Sequence, residues 1–203
     1  MERRPKAVNK NIILCGVGGQ GTVLASKLIS AAAMSKALPV MSAETIGMAQ
    51  RGGSVFSHVR IGKGLYSPMI AKGEADIIIG FEPGEAVRML PFLREGGTVI
   101  TSSHKISPVT ATLSGSSYSG GEMTAYLQEH VKKLFIIDTQ KACEEIGSSK
   151  VLNILLLGAA IKSGALGLAE EDIKTAIISR LPERFHELNF KALAYARRHA
   201  ETP

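Results

Sequence analysis

The chain contains no tryptophan and only two cysteines, and aromatic residues fill 5% of its 203 positions. Scarce aromatics leave the core to Leu, Ile, Val, Ala and Met, which a 45% hydrophobic content supplies. Cys15 closes an apolar run and Cys143 falls in a helical pattern, so both read as small buried hydrophobes. Without a Cys-x-x-Cys pair, the chain by itself cannot hold an iron–sulfur cluster or a structural zinc ion. It also lacks an apolar stretch of the ~18 residues that a membrane span requires. The longest candidate, Val151 to Ile161, contains Asn153 and ends at Lys162. The N-terminal Met-Glu-Arg-Arg-Pro-Lys has no apolar segment of a secretory leader. The expectation is a cytoplasmic protein with no membrane contact.

Positive charge exceeds negative, with a net of +6. A basic surface can serve nucleic acid, an acidic cofactor or an acidic partner. Here the charges are scattered, and no Lys/Arg run is interleaved with aromatics, so nucleic acid is not an expected partner. The length suits one domain with an appended helical tail, large enough to bury roughly 70% of its unfolded surface. The expected division is an N-terminal extension over 1–10, a Rossmann-like domain over 11–165, and a helical C-terminal tail of the same domain over 166–203.

Asn11 to Cys15 is a short apolar run ending at glycine, as a fully buried strand should be. The glycine-dense turn Gly16-Val-Gly-Gly-Gln-Gly21 follows, and Thr22 to Ala37 carries a helical period that Pro39 stops. Pro39 to Met41 reads as a second strand, which completes a βαβ unit of the parallel, right-handed kind. Ser54 to Ile61 alternates as a half-exposed, antiparallel strand, with Ser54, His58 and Arg60 on its outer face. Further strands are expected at Asp76–Gly80, Gly97–Thr101 and Leu134–Asp138. Helices are expected at 83–93, 139–146, 150–162, 170–179 and 183–199, and Ser114 to Gly121 reads as a loop. The fold class is α/β, a Rossmann-like and mostly parallel sheet flanked by helices.

Gly16, Gly18 and Gly21 satisfy G-x-G-x-x-G in the right context, after a strand and opening a helix. The first allows the tight turn, the second lets a ligand approach the backbone, and the third lets helix and strand pack closely. Thr22 stands where a phosphate-transferring P-loop needs Lys. A dinucleotide fold needs an acid at the end of the second strand, about 20 residues on, and Glu44 is the only candidate, beyond the expected strand end. A phosphate-bearing ligand, plain helix–strand packing and a protein interface all remain open readings of the loop.

A second cluster, Ser42 to Gly53, carries three glycines, an acid and an arginine directly before a strand. Arg51 beside Gly52-Gly53 can offer a planar fork to a carboxylate or phosphate; the plainer reading is a solvated surface turn. Among single residues, Glu82 ends a strand where α/β ligands bind, though it equally suits the start of a helix. Asn153 lies among apolar residues and needs a hydrogen-bond partner. His58 has no nucleophile beside it, and its outer-face position reads as a solvated edge.

Taken together, Gly16-Val-Gly-Gly-Gln-Gly21 and Glu44-Thr-Ile-Gly-Met-Ala-Gln-Arg-Gly-Gly-Ser54 resemble the γ-subunit family of the 2-oxoacid:ferredoxin oxidoreductases. The likeness extends through Asp76-Ile-Ile-Ile-Gly-Phe-Glu82 and Asn153-Ile-Leu-Leu-Leu-Gly-Ala159, and is strongest to the β-subunit type of the indolepyruvate enzymes. The resemblance implies an accessory subunit, inactive alone, in a complex that decarboxylates a 2-oxoacid such as pyruvate or indolepyruvate to an acyl-CoA and passes electrons to ferredoxin. Thiamine diphosphate, Mg and the iron–sulfur clusters are then expected on a catalytic partner subunit. Coenzyme A is the one cofactor this chain is expected to touch, through Gly16, Gly18, Gly19, Gln20, Gly21, Glu44, Arg51, Gly52 and Gly53. No catalytic residue and no metal ligand is expected here. The alternatives are a stand-alone NAD(P)-binding oxidoreductase using the loop and Glu44, and a non-catalytic assembly module.

Overall fold

The structure, a computed structural model, describes residues 9–45, 53–106 and 119–200. Its centre is a six-stranded sheet built from β1 (Lys10–Val17), β2 (Val40–Thr45), β3 (Ser54–Ile61), β4 (Ala75–Gly80), β5 (Leu93–Ser102) and β6 (Lys133–Ile137), in the order β2-β3-β1-β4-β5-β6. β1, β4, β5 and β6 run parallel. β3 is antiparallel to both of its neighbours, so β2 runs in the direction of β1 with one strand between them.

Successive side chains alternate between two cores, as the strand period demands. On one face Ile12, Leu14, Ile77, Ile79 and Ile100 meet the helices α1 (Thr22–Ser35), α4 (Thr139–Ile146), α5 (Leu152–Lys162), α6 (Glu170–Arg180) and α7 (His186–His199). On the other face Ile13, Cys15, Ile78 and Val99 meet α2 (Pro83–Met89) and α3 (Gly120–His130). The last two helices belong to the first core: a Cβ on Gly158 of α5 would stand 2.8 Å from Ala196 Cβ and 2.8 Å from the Leu193 carbonyl of α7. Glycine at 158 is what lets these two helices touch.

Several elements differ from the sequence-based expectation. β2 extends to Thr45, four residues past Met41, because β3 pairs with it along its whole length. β3 is not an outer edge: β1 on one side and β2 on the other enclose it, and His58 is buried at 2% exposure. His58 Nδ1 accepts the Ile70 amide at 3.1 Å, and its ring lies edge-on to Phe56 and Phe92. Arg60 is likewise engaged, donating from Nε to Asn11 Oδ1 at 2.9 Å and from Nη1 to the Ser67 carbonyl at 3.1 Å. α2 ends at Met89, and a 3₁₀ turn over Leu90–Phe92 leads directly into β5. Pro91 has no N–H to continue the α-helical ladder. Gly120 and Gly121 open helix α3 instead of closing a loop, because Ser119 caps it by accepting the Glu122 amide at 3.3 Å. Among the described residues no helix is long and apolar enough to cross a membrane.

Candidate functional site

The carboxyl ends of β1 and β4 are where the chain's crossovers change face, α1 covering one side of the sheet and α2 the other. Open α/β sheets bind ligands at such a point. Here it is closed by Gln20. Its Oε1 accepts the Val17 amide at 2.7 Å and its Nε2 donates to the Phe81 carbonyl at 2.9 Å. The Phe81 amide donates to the Cys15 carbonyl at 2.7 Å just beneath. Gly16 is glycine for this reason: a Cβ there would stand 2.6 Å from Gln20 Oε1 and 2.7 Å from Phe81 Cβ.

Gly18 reaches the second cluster. Its amide donates to the Gly53 carbonyl at 2.9 Å, so that N–H is not available to a phosphate. Gly19 and Gly21 take the left-handed conformation, at φ +103° and +85°. Gly21 is the N-cap of α1 and has no side chain to serve the helix's first amides, and no acid lies in that first turn. The start of α1 therefore keeps its orphan donors and the positive end of its dipole.

Glu44 is not placed as a ribose-binding acid. It sits within β2, level with Ser57 and through it with Leu14, two residues short of the loop. The inserted β3 sets it two strand spacings from β1, roughly 10 Å at about 4.8 Å per strand. Its Oε1 accepts the Ser26 hydroxyl of α1 at 3.0 Å. Arg51 and Gly52 lie outside the described residues.

Sequence reasoning did not anticipate the cleft that opens beside the loop. It holds about 760 Å³ between the start of α1, the end of β5, α4 and the start of α5, within the range of small-molecule sites. Gly19, Gln20, Gly21, Cys143, Lys150 and Asn153 are among the residues that line it. Asn153 presses against the loop, its Nδ2 lying 3.2 Å from where a Cβ on Gly21 would stand. A polar residue inside an apolar helix was the available signal for it. His104, Cys143 and Lys150, remote in the chain from the glycines, carry no such signal.

Across the sheet, two buried carboxylates flank the same edge. Glu82, 3% exposed, caps α2 by accepting the Glu85 amide at 3.0 Å, and Glu85 accepts the Ser54 hydroxyl at 2.5 Å. Burial pushes the Cys15 thiol well above its ordinary range, and the charges of Glu85 and Glu82 push it further. Cys143 is raised by burial and by Glu144. Neither cysteine is held as a thiolate, so neither is poised as a nucleophile. Among the described residues no group of His, Cys, Asp or Glu is arranged to hold a metal ion.

Relatives share this architecture. Indolepyruvate oxidoreductase subunit IorB of Thermococcus kodakarensis is 36% identical over 90% of this chain and 91% of its own length. The γ subunit of a keto/oxoacid ferredoxin oxidoreductase from Geobacter sulfurreducens superposes with a TM-score of 0.67 at 24% identity, covering 93% of this chain and 96% of that one. The 2-oxoglutarate:ferredoxin oxidoreductase of Magnetococcus marinus, solved with 2-oxoglutarate, coenzyme A and succinyl-CoA, superposes with a TM-score of 0.70 at 18% identity. This chain matches 30% of that longer one, with 94% of its own length. The pyruvate ferredoxin/flavodoxin oxidoreductase model matches residues 11–199, and the chain belongs to that family.

Proposed function

We propose that this chain is the accessory, γ-type subunit of a 2-oxoacid:ferredoxin oxidoreductase, of the indolepyruvate kind, and that it acts only within the complex. The observation that carries this reading is the 36% identity to an indolepyruvate oxidoreductase subunit over nine-tenths of both chains. The site agrees with it. The ordinary dinucleotide crevice is filled by Gln20, and the acid that would hold a ribose is two strands away and bonded to Ser26. A stand-alone NAD(P) enzyme is thereby disfavoured. In this reading thiamine diphosphate, Mg and the clusters sit on a catalytic partner, and ferredoxin takes the electrons. That complex would convert the 2-oxoacid to an acyl-CoA. Coenzyme A is the ligand this subunit would touch, from the loop Gly16–Gly21 and from Gly53 before β3. An assembly module without ligand contact is the remaining alternative.

The test is reconstitution. Co-expressed with the thiamine-dependent subunit, the chain should co-purify with it and be required for indolepyruvate-dependent reduction of ferredoxin. Full activity of the catalytic subunit without this chain would overturn the reading.

A further inference from the structure

On the face of the sheet that α2 covers at β1, β4 and β5, β3 is covered instead by its connection to β4, residues 62–74. Ile70 of this connection enters the second core, 2% exposed, and its amide is the one that His58 accepts. The rest of the segment is tied at fixed points. The Gly62 amide donates to the Pro39 carbonyl at 2.9 Å, and the Gly73 amide to the Pro91 carbonyl at 3.0 Å. Arg60 Nη1 donates to the carbonyls of Ser67 and Met69, at 3.1 and 3.4 Å. Between these ties Tyr66 is 96% exposed and Met69 53% exposed. Single apolar side chains scattered over a surface need no explanation. These two share one fixed loop, and half-buried Met41 of β2 is paired with Arg60 on the same face. Tyr, Met and Arg are enriched where proteins meet, and a backbone fixed beforehand loses little freedom on association.

We infer that this loop docks the catalytic partner subunit, with Tyr66 entering an apolar socket that has a carboxylate-bearing rim. The rim follows from charge. Arg60, Lys63 and Lys72 have no ion pair with an acid among the described residues, and Arg60 donates its hydrogen bonds to uncharged oxygens. Glu74 is the one acid of the segment, and Asp76 beyond it is held by Arg94 and the Asn11 amide. A surface of that sign is complemented by an acidic one. The inference rests on the functional reading above, which supplies the partner; the loop supplies the place.

Tyr66→Ala removes a side chain that lies almost wholly in water, so the isolated variant should unfold in urea at the midpoint of its parent. Co-expressed with the thiamine-dependent subunit and diluted, its complex should dissociate at a concentration at least about tenfold higher, as expected for the loss of a central aromatic anchor. Lys63→Glu/Lys72→Glu should also weaken the complex, and that deficit should shrink as salt is raised. Parent-like dissociation of either variant complex, or a dimer of the isolated chain that Tyr66→Ala dissolves, would overturn the inference and leave the functional reading in place. An unaltered chain that does not co-purify with the subunit ends both.

Discussion

The amide of Gly18 donates to the carbonyl of Gly53 at 2.9 Å, joining two glycine clusters that lie far apart in the chain. The bond runs from the end of β1 to the residue before β3, alongside the pairing of Val17 with Ser54. It makes the two motifs one structural unit, and it removes from the loop a donor that a dinucleotide-binding protein would present to phosphate.

Gln20 is the closure of that unit. Gln20→Ala removes the acceptor for the Val17 amide and the donor to the Phe81 carbonyl. Unfolding in urea should show a loss of about 1–3 kcal/mol, the cost of leaving partly buried backbone groups unpaired. A variant as stable as the parent would show that water replaces both bonds without penalty.

Gly16→Ala should destabilise the chain by about 1–3 kcal/mol, since its Cβ meets Gln20 and Phe81 at under 3 Å. One of those two contacts is with the Gln20 side chain, which a second substitution can remove. In the double variant Gly16→Ala/Gln20→Ala the two losses should therefore sum to more than the observed one, and a double-mutant cycle in urea measures the coupling.

NADH fluorescence should be unchanged on titration with the full chain, because Glu44 is bonded to Ser26 and separated from the loop by β3. Glu44→Gln should leave that null result as it is. Saturable binding that the substitution weakens would revive the dinucleotide reading.

His58 makes stability depend on pH. Burial lowers its folded pKa, and its Nδ1 accepts the Ile70 amide, which only the neutral ring can do. The unfolded chain then binds a proton that the folded chain refuses, so this contribution is full above the unfolded value of about 6.5 and is lost as pH falls below it. Urea midpoints measured from neutral pH to about pH 5 should fall in the parent chain. In a folded His58→Gln variant the same interval should be flatter, and an identical slope would assign the acid sensitivity to other groups.

At Gly158, even alanine sets a methyl 2.8 Å from Ala196 Cβ and from the Leu193 carbonyl. Gly158→Ala should lower the melting temperature through a loss of about 1–3 kcal/mol, with early loss of amide protection in α7. Uniform loss of protection across the chain would instead place α7 in the same cooperative unit as the sheet.

Local chemistry made much of this protein readable. Apolar runs ending at glycine located β1 and β4, and Pro83 marked the start of α2. The paired glycine motifs, with their spacing, were enough to indicate the family. These are properties of neighbouring residues, written in period and turn chemistry. What the tertiary structure decided are contacts between distant segments. The insertion of β3 between β1 and β2 buried His58 and moved Glu44 away from the loop, and the packing of α5 brought Asn153 against Gly21. Strand alternation says which side chains share a face, but not which strand lies beside which. Only the closing of long loops around the two cores settles that order, and with it where the glycine loop can meet a ligand.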